Sequence, residues 1–335
     1  MSLLHGGPAL SAVVPCHDEA GNIDALCARI SNVCADVVGE SYEIILVNDG
    51  SNDLTWRAIV AHHQRDGRIV GVDLSRNHGH QLALSAGLSV ARGEKVFILD
   101  ADLQDPPELL GAMMAVMAQG HDVVYGQRID RQGETWFKRL SAKLFYRLLR
   151  LLSDVPIPVD TGDFRLVSRR VVDVLNAMPE HGRFIRGMIA WTGFSQVAFP
   201  YARDPRRSGK SKYPFLKMVL FSVDAITAFS IRPLRLALLL GAAFGGCGLL
   251  LLAYTLYSWV FGSTVTGWTS LMAVLLILGS VQLTVLGIVG EYVGRLVVES
   301  KGRPLFIIRS ILRDAEESSI KPPPAPPLLA RTAPR

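Results

Sequence analysis

The sequence predicts an α/β fold: a Rossmann-like, mostly parallel sheet, followed by interfacial amphipathic segments and two carboxy-terminal transmembrane helices. Three observations carry this prediction. Short apolar runs alternate with helical periodicities. Acids recur just after those runs. From Leu236 to Gly290 there is no Asp, Glu, Lys or Arg, a span that can hold two membrane helices of about 20 residues each. Mean hydropathy is +0.28 and 49% of the 335 residues are hydrophobic, an excess concentrated in that span.

Ala9 to Pro15 reads as a buried strand, with Cys16-His17-Asp18-Glu19 as the loop at its carboxyl end. Ile23 to Val37 follows with the helical spacing of Ile23, Leu26, Ile30 and Val33. Glu43 to Val47 is a second strand ending in Asn48-Asp49-Gly50-Ser51, and a helix runs from near Asp53 to about Gln64. Ile69 to Leu74 is a third strand, followed by a loop over residues 75–80 and a helix from Gln81 to Ala91. The fourth strand, Val96 to Leu99, runs straight into Asp100-Ala101-Asp102. Asp105 is placed to cap the next helix, with Pro106 and Pro107 in its first turn and Glu108 at the capping-box spacing. Asp122–Gly126 is a fifth strand, Thr161 to Leu166 a polar loop entering a helix, and Phe184 to Trp191 another helix. Right-handed crossovers would bring Glu19, Asp49 and the Asp100/Asp102 pair to one sheet edge, the edge at which such folds bind ligands.

Asp100 and Asp102 would repel one another unless a cation lay between them. A hard divalent ion carrying substrate phosphates meets that need; the plainer alternative is turn and capping work. No Gly-x-Gly-x-x-Gly follows the first strand and no Gly-x-x-x-x-Gly-Lys occurs, so dinucleotide and P-loop readings lose their support. The four cysteines, Cys16, Cys27, Cys34 and Cys247, lack metal-ligand spacing and read as reduced packing residues.

The spans are placed at 234–261 and 268–290, joined by Gly262–Gly267. Arg232 and Arg235 precede them, Arg295, Lys301 and Arg303 follow, and the turn carries no basic residue. The positive-inside rule then keeps both termini and the first 230 residues cytoplasmic. Trp136–Leu152 is basic, aromatic and amphipathic, suited to a membrane interface. Arg203 to Tyr213 carries five basic residues just ahead of the membrane entry, as an anion-binding loop for headgroups or phosphates would, or as a solvated face. The expected organisation is a soluble domain over 1–212, an interfacial segment over 213–232, a membrane domain over 233–295, a cytoplasmic segment over 296–320 and a disordered Pro-rich tail over 321–335. Gly241-x-x-x-Gly245 and Gly290-x-x-x-Gly294 permit close helix packing, so a homo-oligomer, a tetramer included, is open.

Several separated motifs, in order, resemble the polyprenyl-phosphate glycosyltransferases of glycosyltransferase family two, whose members include dolichyl-phosphate mannose synthase and bactoprenol glucosyltransferases. They are residues 14–19 (Val-Pro-Cys-His-Asp-Glu), 47–51 (Val-Asn-Asp-Gly-Ser), 75–81 (Ser-Arg-Asn-His-Gly-His-Gln), 100–108 (Asp-Ala-Asp-Leu-Gln-Asp-Pro-Pro-Glu), 208–213 (Ser-Gly-Lys-Ser-Lys-Tyr), 229–234 (Phe-Ser-Ile-Arg-Pro-Leu) and 290–295 (Gly-Glu-Tyr-Val-Gly-Arg). The resemblance implies a GT-A fold, a nucleotide-sugar donor, a divalent metal (Mg²⁺ or Mn²⁺), a polyprenyl phosphate acceptor and a bacterial inner-membrane location, with no nucleic acid. It implies that Pro15, Glu19 and Asp49 hold the nucleotide and that Asp100, Asp102 and Gln104 form the metal and diphosphate site. Arg128, Arg206, Arg207, Ser211 and Lys212 match positions that meet phosphates. Asn48, Lys210 and Asp18 depart from the usual pattern, where an acid, Glu, and Asn or Tyr are common.

The implied reaction displaces a nucleoside diphosphate at an oxocarbenium-like anomeric carbon, with inversion. The lipid phosphate, with a second pKa of about 6, needs no strong base. Asp163 is the candidate for orienting the nucleophile or stabilising the sugar, or else a helix cap after Gly162. Glucose from UDP-glucose is the first expectation; mannose, an aminosugar and a modified arabinose remain open. A processive synthase would need a Gln-x-x-Arg-Trp motif, which is absent, and a non-catalytic scaffold would not need the paired aspartates.

Overall fold

The computed structural model describes residues 7–129, 161–202, 230, 232–261 and 267–313. The chain divides into two compact units: 1–138, 157–212 and 304–335 form one, and 139–156 with 213–303 the other.

The first unit is built on one eight-stranded sheet. Its strands are β1 (Leu10–Cys16), β2 (Tyr42–Asn48), β3 (Ile69–Leu74), β4 (Lys95–Ile98), β5 (Val123–Arg128), β6 (Thr161–Ser168), β7 (Gln196–Tyr201) and β8 (Ile308–Leu312), in the order β7-β5-β6-β4-β1-β2-β3-β8. β4, β1, β2 and β3 are parallel neighbours, as the continuous apolar runs predict for strands buried on both faces. Every residue of β1, β2 and β3 is buried. The helices described in this unit are α1 (Ile23–Val38), α2 (Thr55–Arg65), α3 (His80–Val90), α4 (Leu110–Met117), α5 (Arg169–Ala177) and α6 (Ile185–Trp191). α1 buries Ile23, Leu26, Cys27, Ile30 and Cys34 on one face, so Cys16, Cys27 and Cys34 are reduced core residues, while Cys247 is exposed.

Three local expectations are corrected. Thr161–Leu166 is not a loop entering a helix but most of strand β6, antiparallel to both β4 and β5. Its alternation seats Phe164 against Phe97 at 5.4 Å and against Tyr201 at 5.2 Å between ring centres. Asp105 does not cap the helix that follows: it is buried and accepts the Tyr201 hydroxyl, and a 3₁₀ turn over Pro107–Leu109 precedes α4, neither having a side-chain cap. Glu108 does not turn back to a helix start but takes the Arg29 guanidinium at 2.7 and 2.9 Å. The first turn begins at Pro107 with Pro106 at its N-cap, so Asp105 and Glu108 do not stand at the two positions a capping box needs.

Segment 296–320 contains two pieces that the sequence alone does not divide: the last turn of a long helix and strand β8. β8 runs antiparallel along β3. Arg313 fixes it, donating to the buried Glu43 at 3.0 Å and to the Val90 carbonyl at 2.9 Å.

The second unit contains α7 (Arg232–Val260) and α8 (Trp268–Ser300). Both are long and apolar enough to cross a membrane. Their leucines are not core residues: Leu250 is 73% and Leu283 70% exposed, the pattern of helices whose apolar faces need a lipid or helix partner. Tyr292 donates to the Ser230 carbonyl at 2.6 Å.

Candidate active site

The carboxyl edge of the parallel strands gathers the acids, and register explains how. Ile98 on β4 pairs with Arg165 on β6 in an antiparallel ladder. Continuing that ladder by two residues sets Asp100 opposite Asp163. His80, the first residue of α3, completes the cluster: its Nε2 lies 3.1 Å from Asp163 Oδ2 and 3.5 Å from Asp100 Oδ1.

Asp163 is buried and fully engaged. Gln81 donates to its Oδ2 at 2.8 Å and Arg186 Nε donates to its Oδ1 at 2.8 Å. Burial alone would raise this carboxyl, but Arg186, His80 and Arg165 outweigh it and hold the group well below the usual carboxylate range. The helix-cap alternative does not apply to it, because β6 is a strand. Gln81 uses its other end to accept the Ile185 amide at 3.0 Å, which ties α3 to α6. Burial works against the His80 imidazolium, and Asp163 and Asp100 overcome this to raise its pKa.

Asp100 behaves oppositely. Burial, with Asp163, Asp105 and Asp102 around it, raises its pKa to about 6 despite the opposing influence of His80. A carboxylate pushed up by burial and by three other acids is stabilised in its charged form by a cation. Asp102 is half-buried, and its Oδ1 accepts the Gln104 amide at 3.2 Å, so it also does turn work. Between them, Leu103 adopts φ +57° with its side chain buried, a backbone conformation that L-residues hold only when packing imposes it.

The residues fit a divalent ion of a particular kind. Among the described residues no group of three His, Cys, Asp or Glu side chains is arranged to hold a metal unaided. Two carboxylates with hard oxygen donors match Mg²⁺ or Mn²⁺ that takes its remaining ligands from water and substrate phosphates.

The other expected residues fall around this centre. Pro15 is buried near the end of β1, paired with Val47 of β2 and two residues past the last pairing with β4. Glu19 lies in the following loop and accepts the Asn22 amide group at 2.5 Å. Asp49 takes the backbone N–H groups of His78 at 2.7 Å and Gly79 at 2.9 Å, which shapes the loop that leads into α3. Arg128 ends β5, its Nη2 at only 2.8 Å from where a Gly162 side chain would begin, so Gly162 is what makes room for it. Arg206, Arg207, Ser211 and Lys212, with both amphipathic segments, lie outside the described residues.

Beside the β2 and β3 ends lies a polar hollow of about 390 Å³ lined by Asn48, Ser51, Arg76, Asn77 and Arg309 among others. Asn48 sits across from Asp73 in the β2–β3 ladder and donates to it at 2.7 Å. An acid at position 48 would oppose that carboxylate, so the amide suits this pair. Gly50, on the rim, has φ +59°, and a side chain there would begin 2.3 Å from the Asn77 nitrogen. Gly50→Ala is expected to destabilise the protein by about 1–3 kcal/mol from backbone strain alone, read as a lowered unfolding temperature of the detergent-solubilised chain.

Sequence reasoning missed His80, Gln81, Arg186, Asp73 and Arg309. His80 and Gln81 stand in a motif singled out earlier, but no residue pattern could reveal that β6 delivers their partner.

Comparison with known proteins gives the family. Residues 11–175 match Glycosyl transferase family 2, and residues 232–296 match the GtrB C-terminal hairpin. The uncharacterized glycosyltransferase YkcC of Bacillus subtilis (strain 168) is 44% identical over 89% of this chain and 93% of its own length. The bactoprenol glucosyl transferase of Shigella phage SfV is 36% identical over 90% of this chain and 98% of its own. Among solved structures, mannosyl-3-phosphoglycerate synthase from Rubrobacter xylanophilus superposes with a TM-score of 0.47 at 19% identity, over 68% of this chain and 74% of that one. With a GT-A-like sheet, a matching family domain and relatives aligned over nine-tenths of its length, the chain is an enzyme that belongs to glycosyl transferase family 2.

Proposed function

We propose that the chain moves a glucosyl group from UDP-glucose to a polyprenyl phosphate, undecaprenyl phosphate in a bacterial inner membrane, with inversion at the anomeric carbon. The carrying observation is the near-full-length similarity to a protein named bactoprenol glucosyl transferase; the acid pair at the end of β4 and the two apolar helices agree with it.

A bound Mg²⁺ or Mn²⁺ would neutralise the charge that gathers on the leaving diphosphate. Asp100 and Asp102 would hold it, and Gln104 would support the diphosphate. Asp163 keeps His80 beside Asp100, so it works as a positioning residue for the acid pair. Pro15 near the end of β1, with Glu19 and Asp49 in the loops beyond β1 and β2, would frame the nucleotide. Arg128, Arg206, Arg207, Ser211 and Lys212 are proposed to meet phosphates of donor or lipid. Basic residues beyond the helices favour both termini on the cytoplasmic side. A side chain built at Gly241, Gly245, Gly290 or Gly294 would meet nothing within 4 Å, which leaves those surfaces available for a homo-oligomer, a tetramer among the possibilities.

The test offers the purified full chain a panel of labelled nucleotide sugars with undecaprenyl phosphate and Mn²⁺ or Mg²⁺. Label from UDP-glucose should enter the lipid fraction and vanish on chelation. Preferential use of GDP-mannose or an aminosugar donor would change the sugar, and no lipid-linked label from any donor would overturn the reading.

A further inference from the structure

Strand β8 brings to the sheet a residue that follows both apolar helices in the chain. Arg309 Nη1 donates to Asp73 Oδ2 at 3.1 Å and Nη2 donates to the Ser75 carbonyl at 2.8 Å. Asp73 is buried, its side chain only 3% exposed against 63% for Arg309. Ser75 closes the join by donating its amide to the Ile307 carbonyl at 2.9 Å. The guanidinium is therefore fixed at its inner edge and open at its outer one, along the wall of the 390 Å³ hollow. A guanidinium has five N–H donors, and the two bonds above leave others for a ligand. Holding it in place beforehand reduces the entropy lost on binding.

The hollow has a consistent character. Among the described residues lining it, the one acid, Asp73, is matched by Arg309, which leaves Arg76 as a further positive charge; Asn48, Ser51, Asn52 and Asn77 supply amides and a hydroxyl. Such a wall suits a ligand rich in carbonyls and hydroxyls attached to an anion. Its distance from the acid pair is also informative. β4 and β3 are three strand spacings apart, about 14 Å, within reach of a nucleoside diphosphate lying along the edge with its phosphates at Asp100 and Asp102.

We infer that Arg309 binds the nucleoside end of the sugar donor, so that the strand after the apolar hairpin completes the donor site. This rests on the nucleotide-sugar reading above. UDP binding to the full detergent-solubilised chain, measured by calorimetry, separates a binding role from a structural one. Arg309→Ala should weaken UDP about tenfold, as loss of charge-assisted hydrogen bonds does, with Arg309→Lys recovering part of it and the apparent KM for polyprenyl phosphate unchanged. Arg313→Ala is the control, because Arg313 fixes the same strand away from the hollow. It should leave UDP affinity within twofold of wild type while lowering the unfolding temperature. Unchanged UDP affinity in Arg309→Ala would overturn the inference, as would an equal loss in Arg313→Ala, which would mean that only the strand matters. If the wild-type chain transfers sugar normally and Arg309→Ala is indifferent, this inference alone fails; if the wild type binds no nucleoside diphosphate, the functional reading fails with it.

Discussion

Asp102→Asn is expected to cut sugar transfer at least about a hundredfold, the scale on which loss of one transition-state charge partner is felt. The substitution keeps shape and the turn: an amide oxygen can still accept the Gln104 N–H that Asp102 Oδ1 now takes. What it removes is one of the two carboxylates proposed to hold a metal ion at the end of β4. The deficit should appear in kcat rather than in KM for the lipid acceptor, and Mn²⁺ affinity measured without donor should fall in parallel. Near-normal turnover with an unchanged unfolding temperature would move the catalytic centre elsewhere on the edge.

Asp163→Ala should behave differently, because it strips a hub rather than a ligand. Arg186, His80 and Gln81 all converge on this carboxylate, and Arg165 lies 4.0 Å away. Breaking one side of a buried charged network costs about 3–5 kcal/mol, so the unfolding temperature should drop along with activity. Asp163→Asn keeps the volume and part of the hydrogen bonding and should restore some stability without restoring the His80–Asp100 geometry. An Asp163→Ala protein as stable as wild type but inactive would instead favour a direct contact between Asp163 and the reacting groups.

The two predictions differ because the two acids were differently legible. β4 and Asp100/Asp102 can be read directly: four apolar residues, then a polar turn. β1, β2 and β3 share that clarity because both faces are buried and the apolar runs are unbroken. β6 is harder. Asp163 and Arg165 interrupt its pattern and both are buried: Asp163 is matched by His80 and Gln81 of α3 and Arg186 of α6, which no local window contains, and Arg165 by Asp163 and the Gly162 carbonyl beside it. Its alternating Phe164 and Leu166 were the available period-two signal. β7 carries Pro200 and is mostly half-buried, and β8 has five residues whose partner strand lies more than two hundred positions earlier. Short strands with half-exposed faces leave little pattern to read. The helix-cap reading of Asp105 failed for a related reason: a buried Tyr201 hydroxyl from β7 claimed the carboxylate first.

β6 and β8 run against the parallel core on either side of it, so each meets the reactive edge with its first residues rather than its last. Asp163 and Arg309 thus arrive at the start of a strand, immediately after long intervening stretches of chain. Loop-closure cost grows only slowly with length, so such stretches can be lengthened, shortened or replaced with little penalty, provided the incoming strand keeps its register. Four parallel strands form the frame of the reactive edge, and two reversed strands bring Asp163 and Arg309 to it from distant parts of the chain.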